Sequence, residues 1–425
     1  MICPGRFLLL TVAVAALYAC GPGADSASPD SIVRASSETA SPRDAGATGN
    51  TTPPAMGPGG PRTFLKLLAA VPDTPELRRE IYLNDYDRAL ERLELDRPAR
   101  GDEIALGAFL QGLRSPTLRV ALVPVAFAES PALTDAWQAA YGFSILDARA
   151  DLVTGLASRD ALSVVATDVE PDTIRAAVQA DQQWAADLRE LEREGADHYA
   201  WTEEPERVRI ERAAAPRDLG RGGSLAINGS GMVLRSSDAE VVAAALDALD
   251  GGRRSLADDD AFIAVARALD GAKAHTARIT TVLHSADQAA LEAGILGDPA
   301  RPGDPGARVD LAEAKGRMED VRKGLITLPP YRVLGIGETL GEDGHLLVVL
   351  AYATWSAEAA DQTVAATRSI VNDGRSLRAD RPWADWLEVR SATTDGTLAT
   401  ITLEAARPQI AYNALERHDS LFLTD

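Results

Sequence analysis

A short apolar segment that runs through a polar residue into an alanine-rich stretch recurs along this chain. Residues 232–236 lead through Asp238 into residues 239–249, and Ser356 stands in the same way ahead of residues 357–371. Ser, Thr and Asp at such a junction can accept hydrogen bonds from the N–H groups that the first turn of a helix leaves without partners. The pattern therefore predicts β-strands followed directly by helices, and it constrains the fold more than any other feature.

Hairpin signals precede several of these strands. The tips at residues 228–229, 341–344 and 394–396 contain Gly beside Asn or Asp, which tolerate the positive φ of tight turns. Beyond the last tip, Ile401 and Leu403 alternate with more polar residues, as in a strand with one buried face. The last hundred residues thus contain two strand–turn–strand–helix units, with hairpins at 332–352 and 387–403 and helices at 356–373 and 408–417.

We therefore predict the α+β fold class, built from antiparallel hairpin–helix (ββα) units. In the C-terminal part, a four-stranded antiparallel sheet with helices on one face would resemble a ferredoxin-like sandwich. Residues 297–306 contain three Pro and three Gly, so this segment can be neither helix nor interior strand. The recurring unit and this break favour two related domains, an N-terminal α+β domain at 63–297 and a C-terminal ββαββα domain at 309–425.

Near the N-terminus, Arg6 precedes an apolar stretch at residues 7–16, which is too short to span a bilayer. Leu17-Tyr18-Ala19-Cys20 follows and is itself followed by Gly21. This run resembles the lipobox of bacterial lipoprotein precursors. The resemblance implies a signal peptide at residues 1–19, lipidation of Cys20 with fatty-acyl chains such as palmitate, and an extracytoplasmic protein anchored to a bacterial membrane, on the periplasmic or the cell-surface side. It leaves inner and outer membrane open.

Residues 20–62 consist mainly of Gly, Pro, Ser, Thr and Ala and show no apolar periodicity. Such a composition predicts a disordered tether, because it cannot bury enough apolar surface to offset the entropy of folding. The tether would hold the folded body clear of the membrane. The folded region opens near Phe64, and Pro72 and Pro75 predict a helix that starts at Glu76.

Charge and cysteine content narrow the partners and the sources of stability. The formal net charge of −20 argues against nucleic-acid partners, because their binding depends on Lys and Arg that neutralise phosphates. The two cysteines are Cys3, inside the predicted signal peptide, and Cys20. The mature body would therefore contain no disulfide, and hydrophobic packing must hold it together.

The sequence contains no local signature of catalysis, metal binding or cofactor binding. None of the five histidines has the spacing of a metal site, and the G-x-S-x-G elbow of hydrolases is missing. The triplet Asp258-Asp259-Asp260 directly precedes an apolar segment, where carboxylates favour a helix N-terminus. Gly335 and Gly337 lack the spacing of a dinucleotide fingerprint, so we interpret them as positions of close packing or strand curvature. We predict no metal ion and no cofactor.

Four aromatic residues form the candidate ligand surface. Trp137 and Tyr141 lie one helical turn apart, and Trp383 and Trp386 lie beside the final hairpin. Core packing is the alternative for each of them. We expect a non-catalytic binding or scaffolding module of the cell envelope, with an envelope protein or a small ligand as partner. Two alternatives stay open: a solute-binding lipoprotein of a transporter, and an envelope hydrolase with a site assembled from distant carboxylates.

Overall fold

The computed structural model describes residues 63–113, 131–156, 161–181, 187–201, 223–290, 311–407 and 410–424. Cys20, the predicted signal peptide and the predicted tether lie outside these residues. The strands are β1 (Glu80–Asp85), β2 (Ala148–Thr154), β3 (Leu162–Thr167), β4 (Leu188–Leu191), β5 (Ala196–Trp201), β6 (Gly223–Asn228), β7 (Met232–Ser236), β8 (Thr276–Thr280), β9 (His284–Ser285), β10 (Tyr331–Leu340), β11 (Leu346–Thr354), β12 (Leu387–Asp395), β13 (Leu398–Ala405) and β14 (Leu423–Thr424). The helices are α1 (Thr63–Leu68), α2 (Tyr86–Leu93), α3 (Glu103–Leu113), α4 (Pro131–Tyr141), α5 (Pro171–Ala180), α6 (Ala239–Leu249), α7 (Asp260–Gly271), α8 (Leu311–Lys323), α9 (Ala357–Asp373) and α10 (Ile410–Glu416).

Twelve of these strands form one sheet in the order β12-β13-β11-β10-β8-β1-β2-β3-β7-β6-β5-β4. Every neighbouring pair in it is antiparallel. Helices cover both faces: α1, α6 and α7 pack on one face, while α3 to α5 and α9 with α10 pack on the two halves of the other. The predicted α+β class is confirmed.

The sheet contains an internal repeat, in which β1-β2-β3-β7-β6 has the same arrangement as β8-β10-β11-β13-β12. A β-bulge interrupts β2 between Ala148 and Ala150 and interrupts β10 between Tyr331 and Val333. The strands beyond the bulge also pair in equivalent registers. In the first half, Ala166 on β3 lies opposite Ala150 on β2 and Met232 on β7. In the second half, Ala353 on β11 lies opposite Val333 on β10 and Leu398 on β13. The two halves meet where β1 pairs with β8, so one sheet runs through both residue ranges that the sequence suggested as domains. The boundaries of those domains stay a prediction.

The unit from β10 to α10 is the predicted hairpin, helix, hairpin, helix. Its ferredoxin-like character is not confirmed, because the connectivity ββαββα differs from the βαββαβ of that fold. The sheet also does not stop at four strands. The outer edge of β10 pairs with β8, with Glu338 opposite Thr276 and Leu334 opposite Thr280, and this pairing satisfies backbone groups that an edge strand would leave open.

Candidate ligand-binding site

Trp383 and Trp386 lie on the connection between α9 and β12, in and just after a short 3₁₀ turn at Trp383–Asp385. Trp383 is 2% exposed, and its Nε1 donates a hydrogen bond to Ser420 Oγ at 2.9 Å. Trp386 is half-buried, and its ring packs against that of Trp383 with 5.7 Å between centroids at an angle of 70°. The inner indole therefore fixes the position of the outer one.

A cavity of about 260 Å³ opens beside Trp386. Its wall comes from the connection between α9 and β12, from Arg407 two residues after β13, and from α10 with the loop after it. The residues that line it include both tryptophans, three arginines and Asn413; the arginines are Arg378, Arg407 and Arg417. These groups come from separate parts of the chain, and the C-terminal half of the fold brings them together.

Asp419 is the acidic residue of this wall, and its carboxylate holds the cavity in shape. It is 4% exposed and accepts hydrogen bonds from Ser376 Oγ at 2.6 Å, from Leu377 N at 2.6 Å and from Ser420 N at 2.7 Å. Arg378 is also fixed, because its Nε donates to the carbonyl of Arg417 at 2.9 Å. The loop that carries Arg378 is thereby fastened to the segment after α10.

A second cavity, of about 280 Å³, lies where α1, the bulge of β2 and the start of α5 meet. Arg149, the extra residue of that bulge, donates to Asp168 at 2.6 Å and to Asp87 at 3.1 Å, and Asp87 also pairs with Arg97 at 2.9 Å. The hydrogen bond to Asp168 is the main reason that the pKa of Arg149 is raised. The charges at this cavity largely neutralise each other, so we interpret the cluster as structural.

The equivalent position in the second half of the sheet carries an exposed tryptophan. Arg332 is the extra residue of the bulge in β10, and its guanidinium lies 5.5 Å from the ring centre of Trp355. Trp355 follows β11 as Asp168 follows β3, and 71% of its surface is exposed. Neither Trp355 nor the pair of bulge arginines, Arg149 and Arg332, could be singled out from the sequence, because no local pattern marks them.

Polar side chains are buried in a row across the centre of the sheet. Asp151 on β2 accepts hydrogen bonds from Asn84 Nδ2 at 2.7 Å and from Tyr86 OH at 2.9 Å, and Thr276 Oγ1 donates to Asn84 Oδ1 at 2.9 Å. Asp151 is 0% exposed. Burial raises the pKa of the Asp151 carboxyl to about 7, although the hydrogen bonds from Asn84 and Tyr86 act to lower it. The Asp151 carboxyl is a titratable group in the interior, away from the surface.

The other two aromatic candidates lie in the core. Trp137 is 2% exposed and Tyr141 is 3% exposed, and both rings contact the guanidinium of Arg235, at 5.0 and 5.3 Å from their centroids. They pack with Phe143 and Trp201 between the helices and the sheet. Cation–π contact and hydrophobic burial account for all of these contacts.

Within the part of the chain that the structure describes, no group of three or more His, Cys, Asp or Glu side chains has an arrangement that could hold a metal ion. Asp259 instead caps α7, accepting a hydrogen bond from Ala261 N at 2.9 Å as predicted for the aspartate triplet.

None of the helices in the described ranges combines the length and the hydropathy needed to cross a bilayer. Comparison of the chain with protein-family models, with curated proteins and with solved structures gave no match.

Proposed function

We propose that this protein is a membrane-tethered extracytoplasmic lipoprotein whose folded body acts as a non-catalytic binding or scaffolding module of the cell envelope. The observation that carries the binding role is the cavity of about 260 Å³ beside the half-buried Trp386. Aromatic rings at concave surfaces supply contact area at little cost in conformational entropy. The anchoring role rests on the lipobox at Cys20 and on the composition of residues 20–62.

The start of the body supports the tether. α1 begins at Thr63, directly after the predicted tether, and Phe64, Leu67 and Leu68 are completely buried. The backbone N–H groups of Phe64 and Leu65 donate to the carboxylate of Asp270 at 3.3 and 3.4 Å, and Arg88 donates to the same carboxylate at 3.1 Å. A force transmitted from a membrane anchor would therefore act on a helix that is fastened to the core.

The alternatives receive less support. Solute-binding lipoproteins are usually built on two lobes of parallel strands, whereas the strands of the large sheet here are antiparallel. A hydrolase would need a carboxyl with a raised pKa at an accessible site. The carboxyls of Asp85, Asp151 and Asp270 have a raised pKa, but they are 1%, 0% and 2% exposed, and each accepts hydrogen bonds from within the protein. We therefore favour the binding module.

The anchor is tested in the full chain, expressed in a bacterium that processes lipoproteins. We expect the wild-type protein to fractionate with membranes and to incorporate a labelled fatty acid, and we expect Cys20→Ser to lose both properties. Cys3→Ser is the matched control, because it removes the other thiol from the predicted signal peptide and should change neither result. Membrane association of Cys20→Ser, together with an unlabelled wild-type chain, would show that the lipoprotein assignment is wrong.

A further inference from the structure

We propose that the cavity beside Trp386 binds a small oxyanion, a carboxylate or a phosphate, carried on a flat apolar group. This inference rests on the proposed binding function and adds the chemical class of the ligand. The charge, the internal support, the apolar surface and the size of the cavity all favour such a ligand.

The charge of the wall is opposite to that of the chain. The formal net charge is −20, yet three arginines are among the residues that line the cavity, Arg378, Arg407 and Arg417. The carboxylate of the wall, that of Asp419, already accepts three hydrogen bonds from within the protein. Among the described residues, no carboxylate lies within ion-pair distance of Arg407 or Arg417.

Several arginines elsewhere in the body have acidic partners close by. Arg149 binds Asp168, and Arg390 binds Glu404. The like charges of Arg407 and Arg417 at one cavity repel each other unless a counter-ion neutralises them. Guanidinium groups bind carboxylate and phosphate through charge-assisted and often bidentate hydrogen bonds. An oxyanion is therefore the ligand that this wall complements.

Two parts of the wall, the loop of Arg378 and the pair of indoles, are held in place by the protein itself. Arg378 is held by its hydrogen bond to the carbonyl of Arg417, and Asp419 fixes the loop on which Arg378 lies. Trp383 is buried and hydrogen-bonded to Ser420, and it supports the ring of Trp386 from behind. A site that is already ordered pays less conformational entropy on binding.

The apolar part of the wall and its size limit the rest of the ligand. Trp386 offers an aromatic surface, and Ala379 and Ile410 lie next to it in the wall. A volume of about 260 Å³ is below the range of roughly 300 to 1,000 Å³ that is typical of pockets for drug-sized ligands. The cavity therefore suits one ring with one acidic group, and it is too small for a nucleotide.

The test uses the full chain in detergent and four probes: phenyl phosphate, benzoate, inorganic phosphate and the uncharged benzyl alcohol. Binding is measured by isothermal titration calorimetry and by tryptophan fluorescence. We expect phenyl phosphate, benzoate or both to bind saturably with one site per chain, and benzyl alcohol to bind at least about tenfold more weakly, since it lacks the charge-assisted hydrogen bonds. Which of the two acids binds more tightly identifies the headgroup as phosphate or carboxylate.

The variants separate the site from non-specific attraction. Arg407→Gln and Arg417→Gln should each weaken binding by about tenfold, the loss expected for a hydrogen bond to a charged group. Both side chains are exposed, so the variants should unfold at the wild-type temperature. Arg253→Gln, at an exposed arginine outside the cavity wall, removes the same charge and should bind like wild type. Trp386→Ala should weaken phenyl phosphate but leave inorganic phosphate unchanged.

Failure to bind any of the oxyanions saturably, or equal binding by an Arg407→Gln, Arg417→Gln double variant, would overturn the site. Inorganic phosphate that binds as tightly as phenyl phosphate would overturn the role of Trp386. Failure of the site and failure of the anchor have different results. A chain that binds phenyl phosphate but carries no lipid refutes the anchor, whereas a lipidated chain that binds none of the oxyanion probes refutes the oxyanion site.

Discussion

Replacing Asp151 with Asn should remove one contribution to the pH dependence of stability, that of a buried carboxyl with a raised pKa. Asp151 is 0% exposed, and burial raises the pKa of its carboxyl from 3.8 to about 7. Between these two values the native state keeps the proton while the unfolded chain releases it. The unfolded state therefore binds fewer protons, and the free energy of unfolding falls as the pH rises from about 4 through 7.

The magnitude follows from the two pKa values. A shift of one unit corresponds to about 1.4 kcal/mol, so the full loss is on the order of 4 kcal/mol. Roughly 2 to 3 kcal/mol of it falls between pH 5 and pH 8, because part of the loss has already occurred below pH 5. Asn has nearly the same shape, and its carbonyl oxygen can still accept the hydrogen bond from Asn84 Nδ2.

The assay is urea unfolding of the full chain at pH 5, 6, 7 and 8. We expect the stability of Asp151→Asn relative to wild type to increase by roughly 2 to 3 kcal/mol across this range. Asp395→Asn, at an exposed carboxylate on the tip between β12 and β13, is the control for the change in net charge. If wild type and Asp151→Asn differ by a constant amount at all four pH values, Asp151 does not carry a raised pKa and the argument fails.

Two further changes test the packing of the fold by chemical denaturation. Trp383→Ala should lower the free energy of unfolding by about 3 to 5 kcal/mol, because its indole is 2% exposed and hydrogen-bonded. Trp386→Ala should lower it clearly less, because that ring is half-buried. Equal losses of stability would mean that both indoles close the core. Gly337→Ala should cost about 1 to 3 kcal/mol, since its new Cβ would lie 2.8 Å from the Cδ2 of Leu269 in α7. Gly107→Ala in α3 meets nothing within 4 Å and should be neutral or stabilising. A neutral Gly337→Ala would contradict close packing of α7 on β10.

Local features of the fold could be predicted from the sequence because the residues that determine them are neighbours in the chain. Asp238 accepts a hydrogen bond from Glu240 N at 2.8 Å, and Ser356 accepts one from Ala359 N at 3.1 Å, as the junction pattern predicts. The three hairpin tips also lie between paired strands. Turn and cap chemistry depends on a few residues, so it can be identified without knowledge of the tertiary structure.

The predicted helix start at Glu76 was wrong. Thr74 accepts a hydrogen bond from Leu77 N through its Oγ1 at 3.3 Å and one from Arg78 N through its carbonyl at 3.0 Å. A single turn results, and β1 begins at Glu80. The residues that follow alternate between the two faces of a strand. Tertiary pairing with β2 and β8 then decides in favour of the strand.

Long-range pairings could not be predicted. The pairing of β1 with β8 joins residues that are about 200 positions apart, and no local pattern encodes its register. The candidate site has the same limitation. Trp383 and Trp386 could be singled out because they are adjacent to a hairpin, but Arg378, Arg407 and Arg417 belong to different elements, and their convergence follows only from the packing of α10 against the sheet.

The internal repeat indicates where new chemistry would arise in this fold. The two halves share the strand order, the bulge and an arginine at the bulge, so these features serve the scaffold. The halves differ in the connection from the helix to the second hairpin. In the first half this connection runs from α5 to β6 and contains β4 and β5. In the second half it runs from α9 to β12 and consists of residues 374–386. Both tryptophans and Arg378 of the proposed oxyanion site lie on that segment. The surface residues of this segment can change without altering the common sheet, because among the described residues the segment pairs with no strand of it.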